Sequence, residues 1–261
     1  MHTSHTMTHT PPLRIAAAQS TSVAGDITAN VQIHTRFISA AHQAGVTLLV
    51  FPELSLCGYE LALLHKCLLQ PDDPRLAPIR TLVQQTGMTV VLGAPYLQDQ
   101  QAAPCIAAFT FFPDGSSSVY AKQHLHASEE RYASTGHAGC QRHGLRDESY
   151  ALAICADTSH TEHAKAAADS GASLYLASVL VSEGGYAADA AQLAQYARQL
   201  NMGVLMANHG GPSGSYVSAG QSAFWAPGGQ QVVRTPGTGH FLLVAEKHAG
   251  AWRGEVLALP A

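Results

Sequence analysis

The sequence predicts an α/β domain of large mixed sheets covered by helices, on three observations. Short apolar runs rich in Val, Leu and Ala alternate with longer segments whose apolar residues recur at helical spacing. Strand pairs joined by turn residues interrupt that alternation, so the sheets are mixed rather than purely parallel. The chain of 261 residues is 46% hydrophobic and 12% charged, enough to bury a sizeable core.

Residues 13–19, LRIAAAQ, read as a short buried strand. Asp26 is placed to cap a helix over 27–44, with Val31, Phe37, Ile38 and Ala41 at helical spacing and Gly45 to stop it. Residues 46–53, VTLLVFPE, form a continuous apolar run, the pattern of a strand covered on both faces. A second helix follows Asp72-Asp73-Pro74 and ends at Gly87. Residues 88–96 are another buried strand, and 106–112 and 117–122 make a pair around Pro-Asp-Gly. Alternation then resumes with strands at 148–155, 172–178 and 203–208 and helices at 158–170 and 187–200. QSAFWAP, QQVVR and HFLLVAEK close the chain as strands.

Residues 1–12 are polar, rich in Thr and His, and are expected to form a disordered tail before one domain spanning 13–261. They lack the apolar segment of a secretory signal, and no window reaches the roughly 18 apolar residues of a membrane span. A formal charge of −4 without a long basic run excludes the footprint of a nucleic-acid binder. The five cysteines, Cys57, Cys67, Cys105, Cys140 and Cys155, are odd in number and contain no CxxC pair, so neither a disulfide framework nor a zinc site is indicated. A cytoplasmic protein with reduced thiols is expected.

Three residues at the ends of expected strands carry chemistry. Glu53 ends an apolar run, where partial desolvation raises a carboxylate's proton affinity and suits a general base. Alone it could equally cap a loop. Lys122 follows SSVYA, a place where a lysine is ordinarily a solvated edge residue. Cys155 ends ALAIC at a strand-to-helix junction, where a helix dipole lowers a thiol's pKa, and the N–H of Ala156 is then placed to bind an oxyanion. A buried structural cysteine is the plainer reading of Cys155 taken alone.

Taken together, these contexts resemble the nitrilase superfamily of carbon–nitrogen hydrolases over nearly the whole chain from Leu13. RIAAAQS resembles the family's opening strand and FPELSLCGYE its glutamate motif. YAKQHL, with Glu129-Glu130-Arg131-Tyr132 and Gly136 behind it, resembles the lysine motif. ICADTSHTE, with Asp157 and Glu162, resembles the cysteine motif, and ARQLNMGVLMAN and GQSAFWAPGG two later blocks. Three motifs in the right order are far more specific than any one.

The resemblance implies a four-layer αββα sandwich of two mixed sheets with helices outside. It implies Glu53, Lys122 and Cys155 as a catalytic triad, with Glu129 as the assisting glutamate and Glu130 as the alternative. Glu53 would take the thiol proton as Cys155 attacks an amide, Lys122 and the Ala156 N–H would hold the oxyanion, and a thioester would form and hydrolyse. No metal or organic cofactor is called for. The expected reaction is amidase-like, on a small carboxylated amide, with nitrile or N-carbamoyl hydrolysis as the alternatives and acyl transfer also open. Self-association as a homodimer or larger homo-oligomer is part of the same expectation.

Ala156, Ala133 and the stretch 177–186, with Ser182, Gly184 and Gly185, depart from the family in having smaller residues beside the expected pocket. Tyr59, Tyr132, Ser178, Val179 and Glu183 are expected to line it, though each could be a packing residue. Two rival readings are weaker. Fifteen histidines, among them His160, His163, His124 and His126, suggest a metallohydrolase, but no recognisable ligand spacing joins them. A non-catalytic binding protein on the same fold would have lost one of the three residues.

Overall fold

A computed structural model describes residues 12–98 and 102–260; the expected tail, apart from Pro12, lies outside the described residues. The first sheet collects β1 (Leu13–Gln19), β2 (Leu48–Val50), β3 (Thr89–Tyr96), β4 (Cys105–Phe111) and β5 (Ser117–Ala121), with two strands from the end of the chain. The second collects β6 (Arg142–Leu145), β7 (Glu148–Ile154), β8 (Leu174–Val179), β9 (Gly203–Asn208), β10 (Ala223–Trp225) and β11 (Gln231–Arg234). The chain then returns as β12 (Phe241–His248) and β13 (Ala251–Ala258) to complete the first sheet, in the order β13-β12-β1-β2-β3-β4-β5. The second runs β11-β10-β9-β8-β7-β6.

Both sheets share one plan. Three central strands are parallel, β1-β2-β3 and β7-β8-β9, and the flanking strands are antiparallel. Parallel strands need covered crossovers, and the helices supply the cover. The sheets face each other with β1 against β9, while α1 (Ile27–Gln43) and α2 (Ala77–Thr86) pack on the outside of one. The other is covered by α3 (Thr161–Asp169) and α4 (Tyr186–Gln199). This is the expected four-layer αββα sandwich.

Local signals explain most boundaries. The Asp26 carboxylate accepts the Ala29 N–H at 3.0 Å and starts α1. Asp73 and Pro74 open a 3-10 turn, Pro74–Leu76, that leads into α2, and Gly87 ends it. Two expected elements are corrected. The strand expected over 46–53 is only Leu48–Val50, because Pro52 has no N–H to give and 52–58 fold into consecutive tight turns. The helix expected over 158–170 is split into a 3-10 segment, Cys155–Ser159, and α3. Strands β6 and β13 were not expected. Their residues lack an apolar run, and β13 carries Arg253, Gly254 and Glu255 in its middle. No helix among the described residues is long and apolar enough to cross a membrane.

Candidate active site

The parallel strands of both sheets, and β5 at the edge of the first, deliver polar groups to one cleft at their carboxyl ends, where open α/β sheets place ligands. Glu53 lies three residues beyond β2, in a turn whose next residue, Leu54, has φ +51°. Lys122 directly follows β5, its N–H still paired with the Ile106 carbonyl at 2.8 Å. Cys155 directly follows β7 with φ +42°. Such left-handed conformations cost a non-glycine residue about 1–2 kcal/mol and aim a side chain where a regular strand would not.

Glycines let the turns stack. A Cβ at Gly93 would stand 2.2 Å from the Leu54 nitrogen and 2.6 Å from the Pro52 oxygen, so the Glu53 turn rests directly on β3. A Cβ at Gly136 would stand 2.3 Å from the Ala121 oxygen, and the Gly136 N–H donates to the Lys122 carbonyl at 2.7 Å. Behind the Glu53 turn, the His209 Nε2 meets the Glu53 carbonyl at 2.7 Å and the Ser178 hydroxyl donates to the Phe51 carbonyl at 2.7 Å.

Buried Asp157 ties the Cys155 turn to the Lys122 turn. Its carboxylate accepts the N–H groups of Gln123 (3.1 Å), His124 (2.9 Å) and Ile154 (3.0 Å) and the hydroxyl of Tyr120 (2.7 Å). Tyr120 meets His163, which in turn meets Tyr175 at 2.8 Å, so His163 is a core linker. His124 and His160 stack at 3.7 Å.

Three ionisable side chains meet with essentially no solvent exposure. The Lys122 ammonium donates to Glu53 Oε1 at 2.6 Å and to Glu129 Oε1 at 2.7 Å. Glu129 also accepts the Tyr59 hydroxyl at 2.5 Å and the His126 N–H at 2.8 Å. Glu129, not the exposed Glu130, therefore reaches the cluster. Glu53 Oε2 has no hydrogen-bond partner among the described residues. Burial dominates the Glu53 carboxyl and pushes its pKa up to about 7, with Lys122 pulling the other way and Glu129 adding to the rise. Burial disfavours the Lys122 ammonium, but Glu53, Cys155 and Glu129 together hold its pKa above the usual range.

Cys155 corrects an expectation. Burial, then the Glu53 charge, raise its pKa well above the ordinary thiol value, with Lys122 opposing. The 3-10 segment behind it spans only five residues, and its dipole does not offset that desolvation. The resting group is a thiol, with its sulfur 3.8 Å from the Leu180 carbonyl and 3.5 Å from His126 Nε2.

The cleft is about 280 Å³, the small end of ligand sites. Of the five expected lining residues, Tyr59 and Val179 line it. Ser178 is buried behind the wall on Phe51, Tyr132 lies under the Arg131 guanidinium at 4.6 Å, and Glu183 is exposed; none of these three lines the cleft. Leu180 and Ser182, in the stretch 177–186 expected beside the pocket, also line it, whereas sequence reasoning missed His126, Asp189 and Tyr216 as lining residues. His126 sits four residues after Lys122 and could have been marked by that proximity; the others carry no local signal.

The chain matches the family described as carbon-nitrogen hydrolase over residues 14–252. Among solved structures it is similar to the amidase from Nesterenkonia sp. AN1, at 25% identity over 89% of this chain and 91% of that one, with a TM-score of 0.82. A glutamate-to-glutamine variant of that amidase, showing the result of Michael addition of acrylamide at the active-site cysteine, is 25% identical over 89% and 92%, with a TM-score of 0.82. A cysteine-to-alanine variant in complex with butyramide is 24% identical over 91% and 92%, with a TM-score of 0.83.

Proposed function

Because the chain belongs to the carbon–nitrogen hydrolase family, and is an amidase-like enzyme of it, we propose that it hydrolyses the C–N bond of a small amide through a thioester on Cys155. One observation carries the reading: Glu53, raised to about 7 and with one oxygen unpartnered, stands with Lys122 beside a protonated Cys155 thiol. A carboxylate of that affinity accepts a proton near neutral pH and can return it.

In the first half-reaction Glu53 takes the thiol proton as the Cys155 sulfur bonds to the amide carbonyl carbon. Lys122 has three N–H groups; Glu53 and Glu129 occupy two, and the third is free for the oxyanion beside the Ala156 N–H. Glu53 passes its proton to the departing nitrogen, the C–N bond breaks, and ammonia or an amine leaves behind the thioester. Water then attacks the thioester carbon and gives a proton to Glu53. The C–S bond breaks, the acid leaves, and Glu53 returns the proton to sulfur. Glu129 holds Lys122 in place and is itself held by Tyr59 and His126.

Ammonia release from a panel of short amides, nitriles and N-carbamoyl compounds, with wild type beside Cys155→Ala, tests this. Release that depends on Cys155 and is fastest from amides supports it; release that survives Cys155→Ala overturns it. We place the enzyme in a reducing, cytoplasmic compartment, on the support of its five free cysteines. Homo-oligomerisation rests on family resemblance alone, and sedimentation velocity on the purified protein decides it.

A further inference from the structure

The hydrolysis just proposed leaves one charge on the cleft wall without a task. Asp189, in the first turn of α4, lines the same cleft as Cys155. An acid in a helix's first turn ordinarily serves the helix dipole. Asp189, however, is partly withdrawn from water, and no donor or cation among the described residues bonds its carboxylate. Burial raises its pKa and the nearby His126 opposes that rise.

The rest of the wall sets the sign of what can bind. No Lys or Arg is among the described residues lining the cleft, and Lys122 behind it is engaged by two carboxylates. His126 is held toward its neutral form, first by burial and then by Lys122. Tyr216 stands 37% exposed on the wall, edge-to-face with Tyr59 at 5.6 Å. An aromatic ring at a half-open site attracts cations.

We infer that the cleft accepts a short carboxamide whose chain ends in a protonated amine, with Asp189 as its counter-ion and the Tyr216 ring as a second contact. This rests on the hydrolase reading for the position of the amide end. It replaces the carboxylated amide implied by family resemblance, because a carboxylate here would face Asp189 with no cation to balance it.

The experiment measures binding and turnover separately. Calorimetry on the Cys155→Ala protein compares 5-aminopentanamide with pentanamide and with glutaric acid monoamide, and wild type is assayed for ammonia release from all three. The ammonium amide is expected to bind about tenfold more tightly than the alkyl amide, and adding Asp189→Asn to remove most of that ratio. Equal or weaker binding of the ammonium amide, no detectable binding of it, or a ratio that Asp189→Asn leaves unmoved overturns the inference. Preferential binding without any ammonia release from wild type would sink the hydrolase reading and leave this one standing. Hydrolysis of all three amides at equal kcat/KM would do the reverse.

Discussion

At the scale of single residues, the site turns on how three buried charges share protons. Glu53 must be ionised to accept from Cys155, so kcat/KM on an amide is expected to rise with pH through about 7 and level off above it. Glu53→Gln should lower kcat by about 10²- to 10⁴-fold and abolish that limb; a profile flat from pH 5 to 8 in the wild type would remove Glu53 as the base. The same shift has a stability sign. The folded carboxyl binds its proton more tightly than the unfolded one, so its contribution favours the fold below pH 4.5 and is lost as pH rises to about 7. Lys122→Met would leave Glu53 and Glu129 facing each other without a cation. Urea unfolding should show a loss of about 3 kcal/mol or more at pH 8 and a smaller one at pH 5, where protonation relieves the repulsion. Glu53 and Cys155 were legible because each ends a run of apolar residues, whereas Lys122, behind Ser-Ser-Val-Tyr-Ala, was legible only through the family motif that it sits in. Asp189 and Tyr216 were not, because a polar residue in a helix's first turn or a loop has many ordinary uses.

At the scale of elements, the site depends on how tightly one turn is pressed on another. Gly93→Ala must push the Glu53 turn off β3, since its Cβ would lie 2.2 Å from backbone. A cost of about 1–3 kcal/mol is expected in thermal or chemical unfolding, with a loss of activity larger than the loss of folded protein. Asp157→Ala would strip partners from three backbone N–H groups and one hydroxyl, at about 1–3 kcal/mol for each donor left dry. A fully stable Asp157→Ala protein would show that the two turns are held some other way. Caps and helical spacing made α1 and α2 readable. Strands β6 and β13 were not, because what makes them strands lies in their partners, β7 and β12, and not in an alternation of their own. The 3-10 segment at Cys155 was hidden for a similar reason, since its first residue is held left-handed by its surroundings.

At the scale of the whole molecule, the fold class was readable because both sheets bury parallel strands, and burial on two faces writes unbroken apolar runs. How the sheets finish was not. The last strand, β13, covers the edge of β12, sets Trp252 against Phe224 of the other sheet with ring centroids 4.5 Å apart and the rings tilted by 48°, and carries charges along its exposed side. Such an edge is protected against pairing with another chain. Removing residues 250–261 is expected to yield protein that scatters light and fails to refold, whereas a monodisperse truncated protein would show β13 to be dispensable. Glu53 and Lys122 come from one sheet and Cys155 from the other, and the first sheet closes only when the chain's last hairpin returns to β1. Either sheet alone therefore carries only part of the cluster: Glu53 and Lys122 on one, Cys155 on the other. Assembly of the site thus waits on the docking of one sheet against the other, and on refolding from urea, amidase activity is expected to return after far-UV circular dichroism rather than with it.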